Sequence, residues 1–442
     1  MKKRFAFVGL IVLLLVVALA AAACGGDTTT TTAAPASTDT TAAPATDTTA
    51  APATDTTAAP STDTTAASTE PIKVGHIVDL TGFEANVGST FKAGFDYAFK
   101  DAKIGSRPIQ VVEVDSKSET AAAVDAAKKL VEQDKVSVIF GPTQIGQKTA
   151  VAEYCKSVGV PLVLYNPTPL DAVKDNPWVF AFGGTPDQTA TASADYAFTT
   201  LGYKTVTMIT TDDTAGKSWA NPWKAKFEAL GGKVVQQQWT PFGDDYTSFL
   251  TAMDKADACV AWFGGSAGIA FLSQYLELGI DKKMPIIALY HGGFTDPWLI
   301  NTIAKDNPDG AKRLMGTIAP MMWDPDSKDQ ASVDFANGIA PSLPYGPPGD
   351  AGYSCTVQAV QGFLAAAATI QGDLTGDALS KALLAVKFTG PEGPEFFAPG
   401  DQAATKNVWI MKVIGFDVPG KGTIYKYATV KAYEAVPPTG LK

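Results

Sequence analysis

The segment Gly264-Gly265-Ser266-Ala267-Gly268 is a literal G-x-S-x-G between an apolar run and a stretch of helical period, the setting of a nucleophile elbow. A serine nucleophile needs a histidine base within hydrogen-bond reach, and His291 follows the very next apolar run. In serine hydrolases of α/β type the histidine comes several elements later, with the acid between, so the order here fits poorly. Glycines at such a turn are equally explained by close approach of backbone to a ligand. Two carboxylate pairs occur, Asp212-Asp213 and Asp244-Asp245. Adjacent residues point apart on an extended chain, and Asp245 reads as a helix N-cap ahead of Tyr246–Lys255. A metal centre is not expected: the chain has 2 His and 4 Cys, with no Cys-x-x-Cys pair. No G-x-x-x-x-G-K-[ST] loop is present, and no cofactor is expected. A net charge of −10 without a Lys/Arg-rich run argues against nucleic acid as a partner.

The elements that must position these residues occupy only part of the 442-residue chain. Met1-Lys2-Lys3-Arg4, then uncharged residues from Phe5 to Ala23, then Cys24-Gly25-Gly26, have the layout of an export signal. Cleavage before Cys24 is expected, which makes 1–23 the signal peptide; a retained membrane anchor over Phe5 to Ala23 is the alternative. Residues 24–70 form a Thr/Ala/Pro stalk in which Asp39, Asp47, Asp55 and Asp63 recur every eight residues. With no large apolar side chain, such a stretch cannot offset the entropy of ordering it, and a flexible coil of this length averages roughly 35–40 Å end to end. Removing Lys2, Lys3 and Arg4 takes the charge from −10 to −13. The stalk holds six acids, which leaves −7 on residues 71–442. Cys155, Cys259 and Cys355 are expected to be buried free thiols, with a single disulfide as the alternative.

From Ile72 onward short apolar runs alternate with segments of helical period, the pattern of parallel strands with crossover helices. Strands are expected at Ile72–Val78, Ile109–Val114, Val136–Phe140, Pro161–Leu164, Val206–Ile209, Lys233–Gln237, Cys259–Phe263 and Pro285–Leu289. Helices are expected at Thr90–Lys103, Thr120–Gln133, Gln147–Val158, Thr189–Leu201, Trp219–Leu230, Ser248–Lys255 and Ala267–Leu278. This alternation predicts an α/β, doubly wound architecture. The Pro/Gly-rich stretch Tyr165 to Asp187 reads as a lobe boundary. After Asp309 the pattern becomes irregular, then gives helical segments at Tyr353–Ile370 and Leu374–Val386 and a last strand at Val408–Ile414. Lobe one is expected from 71–184 plus 320–404, and lobe two from 185–319 plus 405–442.

In this order the residues resemble the extracytoplasmic solute-binding proteins of ABC transporters, in the branch that binds leucine, isoleucine and valine. The resemblance rests on Ile72-Lys73-Val74-Gly75 leading to Leu80-Thr81-Gly82, on Asp115 followed by Ala126-Ala127-Lys128-Lys129-Leu130, and on Val136 to Pro142. It continues through Gly159-Val160-Pro161-Leu162, Gly243-Asp244-Asp245-Tyr246-Thr247 and Val408 to Val413. The segment Ala21-Ala22-Ala23-Cys24 resembles a bacterial lipobox, which implies lipidation of Cys24. The family implies two doubly wound lobes of the type I periplasmic binding fold, joined by a hinge of three crossovers.

The resemblance also implies site residues. The loop Gly141 to Gln147 corresponds to the family's carboxylate-binding loop, with backbone donors at Gly146 and side chains at Thr143 and Gln144; Ile145 stands where a serine is usual. Asn166 and Thr168 fall where the family holds both the carboxylate and the ammonium of an amino acid. The family's lobe-two aromatic aligns near Ala215, with Trp219 one helical turn away, and its ammonium-pairing acid aligns with His291. Asn86 with Val87, Phe263, Ser266 and Tyr353 are further lining candidates. A mostly neutral imidazole compensates an ammonium less than a carboxylate does, so an organic acid, amide or aromatic carboxylate becomes a plausible ligand. The reading is a non-enzymatic, monomeric lipoprotein outside the cell membrane that passes a small solute to an ABC permease. A sensor of the same fold is the alternative, and a serine hydrolase using Ser266 a remote one.

Overall fold

A computed structural model describes residues 70–291, 294–339, 351–420 and 422–440. The signal segment, Cys24 and the stalk lie outside the described residues.

The first sheet contains β1 (Ile72–Val78), β2 (Lys103–Ile104), β3 (Arg107–Asp115), β4 (Val138–Phe140), β5 (Leu162–Leu164) and β6 (Val179–Ala181), in the order β2-β3-β1-β4-β5-β6. All pairs are parallel except β2 with β3. Strands β4, β5 and β6 are apolar along their whole length, as parallel strands covered on both faces are, while β1 carries Lys73 and His76. Their crossovers run through α1 (Ala85–Phe99), α2 (Thr120–Lys128, prolonged by a π-helical turn Lys129–Gln133), α3 (Ile145–Val158) and the single turn α4 (Leu170–Val173). The α3 helix stops at Gly159, whose φ of 68° supplies the left-handed C-terminal residue.

The second sheet is built from β7 (Thr205–Thr211), β8 (Lys233–Thr240), β9 (Ala258–Trp262), β10 (Ile286–Ala288) and β11 (Ile318–Met321), all parallel. Its helices are α5 (Pro186–Thr199), α6 (Thr214–Ala229), α7 (Thr247–Thr251), α8 (Gly265–Glu277), α9 (Pro297–Asp306) and α10 (Pro308–Arg313). The chain then forms α11 (Gln330–Ile339), α12 (Ala351–Ala367), α13 (Gly376–Ala385), a short hairpin of β12 (Lys387–Gly390) and β13 (Gly393–Phe397), and a long ribbon of β14 (Ala404–Val418) and β15 (Gly422–Val436). Ala359, Val360 and Phe363 of α12 share a core with Val74, Phe95 and Phe140 of the first lobe. The β14 strand instead pairs antiparallel with β11 in the second. Three passages between the sheets result, at 182–185, between β11 and α12, and at 398–403.

The expected elements are present; β2, β11 and α11 are additional to them, and four further differences occur. The stretch 165–187 contains α4 and β6, whose three apolar residues are too short to stand out among prolines and glycines. The helices α9 and α10 follow β10 where none was expected. The last strand is one half of a ribbon, so β15 and the small hairpin are additional. Pro320 and Met321, read as lobe one, pair with Ile410 and Trp409 in the second sheet. Among the described residues Cys155, Cys259 and Cys355 are buried and form no disulfide.

The passages are tied together by buried polar contacts. Thr185 and Gln188 form a reciprocal capping box at the start of α5. Gln188 Nε2 also donates to the carbonyls of Ala404 and Val436 at 3.0 and 2.7 Å, and Thr185 Oγ1 donates to the Pro438 carbonyl. On β14, Lys406 is 2% exposed and bonds Glu392 and Glu395 at 2.6 and 2.5 Å. Ser354 and Gln358 of α12 donate to the same two carboxylates.

Candidate functional site

In each sheet the strand order reverses beside one strand, β1 in the first and β7 in the second. The crevice beyond the carboxyl ends at such a point is where open α/β sheets place ligands. The cavity between the lobes is lined by residues that follow β1 (Glu84, Asn86, Val87), β4 (Thr143, Gln144, Ile145) and β5 (Asn166, Pro167). From the other lobe it receives residues after β7 (Ala215, Trp219), β9 (Trp262, Gly264) and β10 (Tyr290, His291, Asp296, Trp298). It encloses ≈ 730 Å³, counting the part open to solvent.

The first lobe supplies polar groups. The α3 helix begins at Ile145 after an extended Gln144, and Thr143, Gln144 and Ile145 bring its start to the cavity wall. Behind them lies Lys148, fully buried, whose ammonium donates to Asn166 O at 3.0 Å, Asn166 Oδ1 at 2.6 Å and Pro167 O at 2.7 Å. Three donors meet three acceptors, so the loop after β5 is clamped. Burial holds the Lys148 amine well below its ordinary pKa. Asn166 Nδ2 donates to Thr143 O at 2.8 Å, which joins this loop to the one after β4. Gly183 lets the next passage run against it: a Cβ there would lie 2.3 Å from the Asn166 carbonyl carbon.

The second lobe supplies rings. Trp219 stacks on Tyr290 with centroids 5.0 Å apart and planes 14° apart, and tilts against Trp262 at 5.0 Å. His291 is 1% exposed; its Nδ1 lies 2.9 Å from Asp296 Oδ1, and Asp296 is equally buried. Among the described residues, Nε2 of His291 has no hydrogen-bond partner.

Of the residues expected from sequence, Asn86, Thr143, Gln144, Asn166, Trp219 and His291 line the cavity, while Gly146, Thr168, Phe263, Ser266 and Tyr353 do not. Gly146 faces solvent on the first turn of α3. Thr168 is fully buried and spends its hydroxyl on Asn166 O at 3.1 Å. Phe263 stacks on Phe271 in the core while its neighbour Trp262 lines the cavity, since successive side chains on an extended chain point to opposite faces. Gly352, not Tyr353, reaches the cavity from α12. Ser266 is exposed on α8, and the left-handed φ of 57° falls on Gly265 before it rather than on the serine. Among the described residues no hydrogen bond links Ser266 to His291, whose Nδ1 lies against Asp296, so these two side chains do not form the nucleophile–base pair of a serine hydrolase. The carboxylate pairs are structural: Asp213 caps α6 through Gly216 N at 2.7 Å, Asp212 pairs with Lys217 at 2.6 Å, and Asp245 accepts from Thr247 N at 2.9 Å.

Glu84 was not visible from sequence. It sits half-buried just before α1, facing Gly264 of the other lobe, and burial, with Asp79 and Asp213 nearby, pushes its carboxyl up to about 7. Beside it Phe83 meets Phe242 across the cleft at 4.8 Å. A carboxyl whose folded pKa is raised contributes stability that is lost as pH rises through that value. Wild type should therefore lose stability relative to Glu84→Gln between about pH 5 and pH 8, by ~1 kcal/mol after solvent screening. Paired melting curves across that range check it; a constant difference contradicts the assignment.

Residues 71–417 match the family model described as periplasmic binding protein. The chain belongs to this family. An amino acid binding protein of Pseudomonas aeruginosa is 27% identical over 46% of this chain and 56% of its own length. A Leu/Ile/Val-binding protein of Rhizobium johnstonii is 28% identical over 44% and 54%. The chain thus spans about half the length of the curated relatives it matches. Among solved structures, a solute-binding protein of an ABC transporter from Rhodopseudomonas palustris, in complex with 3,4-dihydroxy benzoic acid, superposes with a TM-score of 0.74 at 23% identity, covering 84% of this chain and 99% of that one. The periplasmic binding protein fold therefore accounts for both lobes. Among the described residues no helix is long and apolar enough to cross a membrane, and no group of His, Cys, Asp and Glu could hold a metal ion.

Proposed function

We propose that this protein is the solute-binding lipoprotein of an ABC importer, held outside the cell membrane by a lipid on Cys24 and the Thr/Ala/Pro stalk. It takes a small carboxylate-bearing solute between its lobes and hands it to a membrane permease as a monomer. Among the described residues, lobe one takes 71–184 and 351–403 and lobe two takes 185–321 and 404–440, with 322–339 between them. The observation that carries the reading is the asymmetry of the interlobe cavity. One wall offers the start of α3 and the polar loops after β4 and β5, clamped by the buried Lys148, and the other offers aromatic rings with one histidine. A carboxylate is stabilised at the first wall by the helix dipole and free donors, and an apolar body is covered by the second. A solute touching both walls favours the closed form by its differential affinity for that form. The relatives named for amino acids and the neighbour holding a benzoic acid derivative support a solute of this size and charge.

A thermal-shift screen of the purified protein against amino acids, short organic acids, aromatic acids and amides tests this. At a hundredfold excess over its dissociation constant a true ligand should stabilise by about 2.7 kcal/mol. If amides shift the transition and carboxylates do not, the carboxylate assignment is wrong; if no small solute shifts it, the binding-protein reading is.

A further inference from the structure

His291 is the feature of the cavity that a simple carboxylate does not explain. Its imidazole is almost completely buried and held by Asp296 at 2.9 Å. In the tautomer whose Nδ1–H donates to Asp296, the ring presents its lone pair at Nε2. That nitrogen is buried and unpartnered in a residue that lines the cavity. A buried acceptor without a donor is costly, and a ligand that brings the donor recovers the cost. The surfaces next to it are flat: Trp219 stacked on Tyr290, with Trp262 against Trp219 and Trp298 also lining the space. Planar rings offset-stack on such walls more favourably than branched aliphatic groups of the same area.

Resting on the carboxylate-solute reading above, we propose that the solute is a planar aromatic acid with a hydroxyl group at the end remote from its carboxylate, and that His291 selects it by accepting that hydroxyl at Nε2. The carboxylate lies against the start of α3, the ring lies between the aromatic side chains, and the hydroxyl completes the Asp296–His291 chain. Binding then favours a hydroxylated ring over the same ring without the group, because a site left with an unpaired polar atom rejects the analogue that lacks it.

Isothermal titration of the purified protein with benzoate, meta-hydroxybenzoate, para-hydroxybenzoate and leucine tests this. The better of the two hydroxybenzoates should bind at least about tenfold more tightly than benzoate. His291→Phe should erase that ratio, and His291→Gln, which keeps an acceptor, should restore part of it. A second readout needs no variant. The chain has only two histidines, so the imidazole ¹⁵N signals are assignable, and Nε2 of His291 should shift on adding the hydroxybenzoate and not on adding benzoate. Equal affinity for benzoate and both hydroxybenzoates, or tightest binding of leucine, overturns the inference and leaves the carboxylate reading standing. Binding of none of the four, together with a blank solute screen, brings down the reading itself.

Discussion

Lys406→Met is expected to lower stability by about 3–5 kcal/mol, because it leaves two carboxylates buried without their cation. Glu392 and Glu395 are 0% and 1% exposed, and Lys406 bonds both. Burial already pushes Glu395 up to about 7 in the presence of the lysine, and the neighbouring Glu392 adds to the effect. The same neighbours raise the Lys406 amine above its usual value. Without that amine both acids must take up protons or remain uncompensated. An acid with a raised folded pKa loses its stabilising contribution as pH rises through it, so the variant's deficit should widen from about pH 5 to pH 8. Urea unfolding at several pH values measures it. Lys406→Met combined with Glu392→Gln and Glu395→Gln should recover most of the loss, since replacing all members of a buried ion cluster is often close to neutral. A deficit independent of pH would mean that the methionine fails for reasons of packing alone. The cluster lies between β13, β14 and α12, where the chain passes between lobes, so the same variant should broaden the range of lobe orientations.

Trp219→Ala is expected to cost about 3–5 kcal/mol of stability and at least tenfold in solute affinity. The indole is 2% exposed and stacks on Tyr290, and its Nε1 donates to Thr189 Oγ1 at 3.2 Å, tying α6 to α5. Alanine leaves a void beside the cavity, strips Tyr290 and Trp262 of a neighbour and leaves Thr189 short of a donor. Trp219→Phe keeps most of the ring contact and loses the N–H, so it should cost only about 1 kcal/mol. Chemical denaturation and calorimetric titration of both variants separate the two contributions. Wild-type affinity in a folded Trp219→Ala protein would remove the aromatic wall from the binding account.

The periodicity of the sequence carried the architecture because parallel strands covered on both faces read as short runs rich in apolar and β-branched residues, and Ile72–Val78 and Thr205–Thr211, buried at all but one position each, are such runs. Where a strand contributes only three residues, as β6 does, there is too little pattern to read. Site residues were legible by loop rather than by side chain. The loops after β4, β5 and β10 all reach the cavity, yet Thr168 and Gly146 within them turn away. At the end of β9 the reading was one residue out, and one residue on an extended chain reverses the face. Lys148 carries no signal at all in Gly146-Gln147-Lys148-Thr149, since a lysine on a helix is ordinarily solvated. Its burial follows from the later passage of Asn166 and Pro167 over it. Glu84 is likewise defined by the opposite lobe, whose Gly264 and Asp213 are far away in sequence. Side chains whose roles depend on two distant segments meeting are those that local pattern cannot supply.

The central claim is that a solute bridging two walls draws the lobes together. It is tested most directly by the distance between spin labels on Lys117→Cys, beside Phe83 in the first lobe, and Asp244→Cys, beside Phe242 in the second. Both positions are exposed, the three described native thiols are buried, and Cys24→Ser removes the fourth cysteine. Pulsed electron resonance should give a broad or long distance distribution without solute and one short, narrow distribution at saturation. A distribution that stays unchanged while calorimetry shows the solute bound would contradict closure as the mechanism.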